Sequence, residues 1–439
     1  MSVSKEPNGE NPKPETLGQA APPAVAVLGS FDTKGDELRY LCHQIKTAGV
    51  DVITIDFSVF GPEIEHIDFP AARVASAGGA DLSDLRISGD RGSALSVMAS
   101  GTAEILQLLM KERRIRGAVS LGGGGGTSVA SKAMQSLPIG FPKLIVSTVA
   151  SGNVQPYVQG TDLTLMYSVL DVAGLNRITR AVINNAASAI AGMASLVSAG
   201  VDEPTRPPSV ALTAFGVTSK GAMAARRRLE EHGFEVLVFH ATGSGGLSLE
   251  KLLRAGFFSG VFDLTTTELA DDLVGGVMSA GPDRLTAAAE VGVPQVVSLG
   301  ALDMVNLGPL ADVAPEFRAR RLIRHNDMMT LMRTTAAENS ELGSRMAAKL
   351  NGSSGPAAIF IPLKGVSSVS IAGEPFFDPE ADQALFAAIR NGLRQNVKLV
   401  ERDVDINNTD FVIEAADELA AMIARPPNLE EIEHDYEKK

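Results

Sequence analysis

A run of glycines is the feature of the sequence with the clearest chemical meaning. It follows a short apolar stretch and leads into Thr127 and Ser128. Glycine in a regular element costs about 0.5 to 1 kcal/mol relative to alanine, so something must require bare backbone here. Bare amides at the start of a helix can approach a phosphate closely, and the two hydroxyls add donors. The run predicts a phosphate cradle, with a flexible strand-to-helix loop as the alternative. Its members are Gly122, Gly123, Gly124, Gly125 and Gly126.

The run differs from two well-known phosphate-binding motifs. No Lys-Ser/Thr pair follows the glycines, so this is not a Walker A loop, and Thr127 occupies the third glycine position of the dinucleotide fingerprint. The sequence therefore favours holding a phosphate and says little about cleaving one.

A second polar turn follows the first apolar run of the chain. Asp32, Thr33 and Lys34 precede a helical pattern that we expect over 35–48. Asp32 or Thr33 would serve as the N-cap of that helix. Lys34 opposes the helix dipole unless an anion lies beside it. Helix capping and contact with a bound anion both remain open for this turn.

A third polar stretch follows the apolar run 142–148. It contains Ser151 and Asn153, and farther on Asp162. Asn153 and Asp162 could orient a ribose or hold Mg²⁺, and an ordinary loop is an equal alternative. We include Ser151 and Asn153 in the predicted nucleotide-binding set.

The second half of the chain offers candidate catalytic residues. His240, Asp263 and Asp303 lie at or just beyond the ends of apolar runs, and Arg324 and His325 belong to a compact polar cluster. We expect these five side chains to contact a small-molecule substrate. The alternative for His240 is a satisfied core histidine, and the polar cluster cannot be assigned to a strand end.

Acidic residues also start a helical pattern in this half of the chain. Glu268, Asp271 and Asp272 share one helix face. We interpret them as ordinary complements of the helix dipole and not as a catalytic pair.

Other kinds of catalytic centre find no support in the sequence. The histidines lack metal-ligand spacing, no G-x-S-x-G elbow is present, and the one cysteine, Cys42, excludes an internal disulfide. We predict no protein metal site, and we interpret Cys42 as a small buried hydrophobe.

Composition narrows the class of protein further. The chain has 439 residues, 45% hydrophobic content and a net charge of −13, without a dense Lys/Arg cluster. This balance is globular and argues against a nucleic-acid surface. No apolar stretch of about 18 residues and no signal pattern are evident, so we expect no membrane contact and a cytoplasmic location.

Short apolar runs alternate with helical patterns on both sides of a Pro-rich segment. Such runs are typical of parallel strands buried on both faces. They predict two Rossmann-like, doubly wound α/β domains with mainly parallel sheets, whose ligands would lie at the carboxyl ends of the strands. The predicted strands are 24–29, 51–57, 117–122, 142–148, 209–215, 235–240, 260–264, 295–300, 357–362 and 397–402.

The same patterns set the expected domain boundaries. We predict domains over 24–200 and 210–426, joined by a linker over 201–209 and flanked by disordered tails at 1–23 and 427–439.

Long stretches of the chain resemble the Tm-one-like ATP-binding family, a largely uncharacterised group of bacterial, fungal and plant proteins. The resemblance covers about residues 24 to 424, and it implies two Rossmann-like domains, bound ATP and homodimers. It also implies that the glycine run, Thr127, Ser128 and Asp32 to Lys34 form much of the nucleotide pocket. The stretches are 31–38, 122–158, 162–193, 236–246, 263–285 and 296–309.

One departure from the family is visible, because relatives often carry a serine within the glycine run and this chain does not. The expected function is ATP binding, with Mg²⁺ as a candidate companion and a ligand cleft between the two domains. Two versions of that function remain open, and they leave undecided whether the protein is an enzyme. The first is an ATP-dependent or nucleotide-regulated enzyme acting on a small metabolite, and the second is a nucleotide-gated module that presents a surface to a protein partner.

Overall fold

The computed structural model describes residues 24–196 and 207–424. These residues form two compact units that divide near residue 201, with the short segment 159–161 grouped with the second unit. The predicted tails at 1–23 and 427–439, and residues 201–206 of the predicted linker, lie outside the described residues.

The N-terminal domain alternates strands and helices. Its elements are β1 (Ala24–Gly29), α1 (Phe31–Thr47), β2 (Val52–Asp56), α2 (Ala71–Ala77), α3 (Leu82–Ser88), α4 (Arg91–Lys111), β3 (Ile115–Gly122), α5 (Gly124–Met134), β4 (Lys143–Ser147), α6 (Gln155–Val158), β5 (Thr164–Tyr167) and α7 (Arg177–Leu196).

One five-stranded sheet with the order β2-β1-β3-β4-β5 forms the centre of this domain, and every pairing in it is parallel. Apolar side chains of α2, α4 and α5 cover one face, and those of α1 and α7 cover the other. The strand order reverses between β1 and β3. The carboxyl ends of these two strands therefore form the switch point at which doubly wound sheets bind ligands.

The C-terminal domain repeats the alternation with more elements. They are β6 (Ser209–Ala214), α8 (Ser219–Glu231), β7 (Glu235–His240), α9 (Ser244–Arg254), β8 (Gly260–Thr265), α10 (Glu268–Val274), α11 (Ala287–Val291), β9 (Gln295–Gly300), β10 (Met304–Leu307), β11 (Leu322–Asn326), β12 (Met329–Arg333), α12 (Ala336–Asn351), β13 (Ala357–Pro362), α13 (Pro379–Gly392), β14 (Val397–Arg402) and α14 (Thr409–Ala424).

Its six-stranded parallel sheet has the order β14-β13-β9-β8-β6-β7. When the six strands of this sheet are numbered in chain order and read from the β7 edge, their order is second, first, third, fourth, fifth and sixth. The N-terminal sheet has the same order over its five strands, so both domains share the flavodoxin-like variety of the doubly wound fold. A three-stranded antiparallel sheet, β10-β12-β11, is inserted between β9 and β13. The predicted fold class of two doubly wound α/β domains is confirmed.

Two helix starts differ from the predicted ones. Helix α1 begins at Phe31 with Ser30 as its N-cap, so the prediction of Asp32 or Thr33 in that position was wrong. Non-helical backbone angles at Lys34, with φ of −125° and ψ of 23°, interrupt α1 just before Gly35, where the predicted helix begins. Helix α5 begins at Gly124, inside the glycine run. The run is therefore a strand end, an N-cap and a first helical turn, and not a separate loop.

Among the described residues, one helix is long and apolar enough to cross a membrane by length and composition alone, namely α4 with 21 residues. Its apolar side chains, including Met98, Ile105 and Leu109, belong to the core between the sheet and its neighbouring helices. This is the behaviour of a core helix.

Candidate anion-binding site of the N-terminal domain

The glycine run forms the junction between β3 and α5 at the switch point of the sheet. Strand β3 ends at Gly122, Gly123 is the N-cap in an extended conformation, and the amide of Thr127 makes the first intrahelical hydrogen bond, to the Gly123 carbonyl at 2.9 Å. The amides of Gly124, Gly125 and Gly126 precede that bond and have no acceptor within the helix. No side chain in 24–196 or 207–424 caps them.

Neither backbone conformation nor packing requires glycine at this junction. None of the five glycines has a positive φ. A Cβ atom added at Gly126 would meet nothing within 4 Å beyond its own helix, and at Gly123 or Gly124 the nearest atom would lie at 3.7 or 3.8 Å. At Gly101 in α4, by contrast, a Cβ would lie 1.9 Å from the Val74 carbonyl oxygen. The reason for bare backbone in the glycine run therefore does not lie in the packing of the described chain.

A positive charge lies beside the first turn of α5. A Cβ at Gly125 would come within 3.4 Å of a terminal nitrogen of Arg91, the exposed first residue of α4. The guanidinium and the N-terminal end of the α5 dipole both favour an anion at this place. Sequence reasoning missed Arg91, because only the packing of α4 against α5 brings it to the glycine run.

The two hydroxyls that follow the glycines have different environments. Thr127 is fully buried, and its Oγ1 lies 2.7 Å from Oγ of Ser147 at the end of β4. Ser147 Oγ also accepts from the Val149 amide at 3.2 Å. Thr127 thus ties the start of α5 to the end of β4, whereas Ser128 is exposed and free to face a ligand.

The start of α1 lies on the other side of the switch point. Side chains of the same domain accept hydrogen bonds from its first amides. Oδ1 of buried Asp56 accepts from the Phe31 amide at 3.2 Å, and Ser58 Oγ accepts from the Asp32 amide at 3.3 Å. Burial raises the pKa of Asp56 above its usual value, against the opposing effect of its hydrogen bonds to Ser58 and Phe31. The first amides of α1 are therefore satisfied within the domain.

The predicted residues Asp32, Thr33 and Lys34 lie on this first turn of α1. Asp32 accepts from Ser58 Oγ at 3.0 Å, and Thr33 is exposed. Lys34 Nζ donates to the backbone carbonyl of Val172, which gives its ammonium an internal partner. The structure places all three at the carboxyl end of β1, and their contact with a nucleotide stays a prediction.

Residues from the polar stretch after β4 divide between the two ends of the sheet. Ser151 and Asn153 are exposed in the turn that follows β4, at the same edge as the glycine run. Asp162 lies at the opposite, amino edge, where it pairs with buried Lys143 at 2.5 Å and accepts from the Gly140 amide at 2.7 Å. The hypothesis that Asp162 orients a ribose or holds Mg²⁺ beside the glycines is therefore wrong.

A second glycine-rich junction, between β7 and α9, resembles the first in sequence, but a side chain of the protein accepts hydrogen bonds from its amides. Oε1 of Glu268 accepts from the amides of Gly243 and Gly246 at 2.7 and 2.9 Å. Oε2 of the same carboxylate accepts from Arg284 Nε at 2.6 Å. Glu268 is fully buried, so the C-terminal domain supplies its own anion where α9 begins.

Two of the predicted catalytic carboxylates are buried in internal networks. Asp263 receives two hydrogen bonds from Arg284, at 2.5 and 2.7 Å, and a third from Thr213. Asp303 is fully buried and accepts from Ser367 Oγ at 2.7 Å; burial raises its pKa to about 6. Asp303 lies in the turn just beyond β9, whereas Asp263 lies inside β8, two residues before its end, and neither exposes its carboxylate to solvent.

The other three predicted catalytic residues are exposed. His240 ends β7, its ring stacks on Phe215 with centroids 5.4 Å apart, and its Nδ1 lies 3.1 Å from the Ala214 carbonyl oxygen. Arg324 and His325 lie on β11 of the inserted antiparallel sheet, where Arg324 pairs with Asp327. The polar cluster thus belongs to an inserted hairpin and not to the carboxyl edge of a parallel sheet.

Across the two described ranges, no group of three or more His, Cys, Asp or Glu side chains could hold a metal ion. Any Mg²⁺ at the glycine run would have to arrive with a phosphate ligand that supplies most of its oxygens.

Comparison with known proteins gives consistent matches over both domains. Residues 23–199 match the N-terminal domain model of an uncharacterised protein family, UPF0261, and residues 207–423 match its C-terminal domain model. A UPF0261 protein of Clostridium tetani is 45% identical over 91% of this chain and 99% of its own length. One from Rhizobium meliloti is 42% identical over 92% of the chain and 99% of its length.

A plant relative shares the same region. The ToMV resistance protein Tm-1(GCR237) of Solanum lycopersicum is 39% identical over 90% of this chain and 55% of its own length. The solved structure of a glycosyltransferase, SnogD of Streptomyces nogalater, aligns with 92% of this chain and 100% of its own length at 12% identity. Its TM-score of 0.17 is too low to indicate a shared fold. The two domain models and the close bacterial relatives together show that this chain belongs to the uncharacterised protein family UPF0261.

Proposed function

We propose that the N-terminal domain binds ATP, with its phosphates on the amides of the first turn of α5. One observation carries the proposal. The amides of Gly124, Gly125 and Gly126 have no acceptor among the described residues, and neither conformation nor packing requires glycine there. A ligand that approaches the backbone closely explains both facts, and Arg91 favours an anionic one.

Two other junctions support this interpretation by contrast. Asp56 satisfies the first amide of α1, and Glu268 satisfies two amides at the start of α9. At both of these junctions the acceptor is a carboxylate of the chain itself. The start of α5 lacks one, which is what an exchangeable anion requires.

The choice of ATP among phosphate ligands rests on the family resemblance set out above. In Rossmann dinucleotide sites an acidic residue near the end of the second strand binds the ribose. Asp56 has that place here, but it is buried and engaged by Phe31 and Ser58. This favours a mononucleotide held by its phosphates. Without a Walker lysine, the site favours holding ATP over cleaving it.

Calorimetric titration with ATP, ADP and AMP tests the proposal, using two variants with a distinctive expectation. Gly124→Ala and Gly126→Ala add a methyl group without a steric clash and should stabilise α5 by up to about 1 kcal/mol. Each should nevertheless weaken ATP binding by about tenfold, which corresponds to about 1.4 kcal/mol.

The matched control is Gly192→Ala, an exposed position inside α7 with no heavy atom within 4 Å of the added Cβ. It should stabilise the protein to a similar degree and leave ATP affinity unchanged. Wild-type ATP affinity in both α5 variants would contradict the proposal.

A second candidate function is catalysis on a small metabolite in the C-terminal domain. With Nδ1 of His240 donating to the Ala214 carbonyl, the neutral ring keeps its lone pair on Nε2, as a general base requires. Turnover of ATP with a panel of small carboxylates, in wild type and His240→Gln, tests this version. If no turnover is detected, the alternative is the nucleotide-gated module that presents a surface to a protein partner. That module requires the protein to bind ATP and ADP with different affinities, because they differ in the γ-phosphate.

Cytoplasmic location and homodimer formation complete the proposal. A single half-buried cysteine suits a reducing compartment, and the dimer follows from the family resemblance alone. Light scattering of the purified chain, with and without ATP, measures its oligomeric state.

A further inference from the structure

We propose that Tyr167 stacks against the planar base of the ligand whose phosphates bind the glycine run. The inference rests on the proposed function and adds a residue to it: Tyr167 would make the site prefer a nucleotide over a bare polyphosphate.

Strand register places Tyr167 in line with the glycines. Gly122 is the partner of Ser147 in the β3–β4 pairing, and Ser147 is the partner of Tyr167 in the β4–β5 pairing. All three are the last residues of their strands. Neighbouring strands lie about 4.8 Å apart, so Gly122 and Tyr167 are separated by roughly 10 Å along the carboxyl edge.

Side-chain alternation places Tyr167 on the same face of the sheet as α5. Leu165 packs against the core that contains the α5 side chains, and Met166 packs against the opposite core, which contains those of α1 and α7. Residues two apart in a strand share a face, so Tyr167 follows Leu165. The glycine run and Tyr167 therefore share both an edge and a face.

The ring of Tyr167 is available for a ligand. Tyr167 is 45% exposed on the edge strand β5. Within 24–196 and 207–424 it makes no ring contact and no side-chain hydrogen bond. An exposed aromatic ring offers a surface on which any nucleotide base can stack.

The chain directly after Tyr167 is held in a strained turn. Val169 has a φ of 66°, an outlier for a β-branched residue. The Leu170 amide donates to the Ser168 carbonyl at 2.7 Å, and the Ser168 amide donates to the Ser147 carbonyl at 3.2 Å. Such strain concentrates at functional sites. Here the turn fixes Tyr167 against the end of β4.

Titration of three proteins with two ligands tests the inference. Wild type, Tyr167→Ala and Tyr167→Phe are titrated with ATP and with inorganic tripolyphosphate, which has no base. Tyr167→Ala should weaken ATP binding by about 5- to 150-fold, the equivalent of 1–3 kcal/mol, and leave tripolyphosphate binding unchanged. Tyr167→Phe keeps the ring and should bind both ligands like wild type.

The outcomes separate this inference from the proposal beneath it. Wild-type ATP affinity in Tyr167→Ala would overturn the stacking role while the phosphate cradle stands. Equal loss of both ligands, or a change in oligomeric state without a change in affinity, would overturn it as well. If wild type binds neither ligand, the cradle itself fails and the inference with it. Tyr167→Leu, which keeps apolar bulk without an aromatic ring, should behave like Tyr167→Ala and covers the case in which the alanine variant does not fold.

Discussion

The carboxylate of Glu268 occupies the space where a Cβ atom on Gly246 would have to lie: the added Cβ would be 2.3 Å from Oε2. The same carboxylate accepts from the Gly246 amide at 2.9 Å. Gly246 is therefore required by a side chain of the protein itself, unlike the glycines at the start of α5.

Glu268→Ala should lower the free energy of unfolding by about 3–5 kcal/mol, because it breaks a buried ion pair and leaves Arg284 and two amides short of an acceptor. Formate is small enough to enter the vacated space and should partly restore the melting temperature, whereas sodium chloride at equal ionic strength should not. Glu230→Ala, which removes an exposed ion pair with Arg226 on α8, is the control and should cost less than about 1 kcal/mol. Equal stability of the two variants would refute this account.

Gly101→Ala should destabilise the N-terminal domain by about 1–3 kcal/mol, measured by urea denaturation. The added Cβ would lie 1.9 Å from the Val74 carbonyl oxygen and 2.7 Å from the Gly78 amide, so α2 would have to move away from α4. Gly126→Ala, also in a helix but with open space, should change stability in the opposite direction. If both substitutions stabilise the protein, the close approach of α2 and α4 is not as described.

Asp271 should make stability fall as pH rises. Burial raises its pKa to about 7, despite hydrogen bonds from Asn306 and Met278. Because the folded-state pKa exceeds the ordinary value of 3.8, this contribution is fully present below about pH 4 and is lost as pH rises through about 7. With about 1.4 kcal/mol per pKa unit, the effect is on the order of a few kcal/mol.

Asp271→Asn should therefore show a shallower loss of urea stability between pH 4 and pH 8 than wild type. Burial also raises the pKa of Asp303, to about 6, and this residue is present in both proteins. The variant should therefore still lose some stability as pH rises. The same slope in variant and wild type would contradict the role of Asp271.

Cys42 should resist thiol reagents in the native protein. Burial raises the pKa of its thiol to about 11, with Lys46 opposing the shift, so the reactive thiolate is scarce at neutral pH. Modification with a chromogenic disulfide should be slow under native conditions and rapid in denaturant. Fast native labelling would show that the helix face bearing Cys42 opens readily.

Strands buried on both faces were predictable from the sequence, because an unbroken apolar run leaves few alternatives. Strands β1, β9 and β13, whose residues are all buried, begin and end where the apolar runs do. Strand β5 was missed because it is short, with exposed or half-buried residues only. The inserted antiparallel sheet was missed for a similar reason: β11 ends in the polar residues Arg324, His325 and Asn326, which look like a loop.

The candidate site was predictable only in part. Five adjacent glycines after a buried strand are visible in any reading of the sequence. The roles of Arg91 and Glu268 are not, because each depends on contacts between separate elements: α4 with α5, and α10 with α9. Glu268 looks like an ordinary complement of its own helix dipole, and it instead serves the dipole of another helix.

The shared strand order of the two domains makes their third strands equivalent, β3 in one and β8 in the other. The helix after β3 begins with glycines, and the helix after β8 begins with Glu268 and carries Asp271 in its first turn. Equivalent corners of two similar halves thus have opposite electrostatic character. The chain should saturate with one molar equivalent of phosphate ligand, although its architecture contains two places where one could have been expected. The corner after β3 therefore presents backbone amides without an acceptor in the described chain, whereas the corner after β8 bears two buried carboxylates, of which Glu268 accepts from amides at the start of α9.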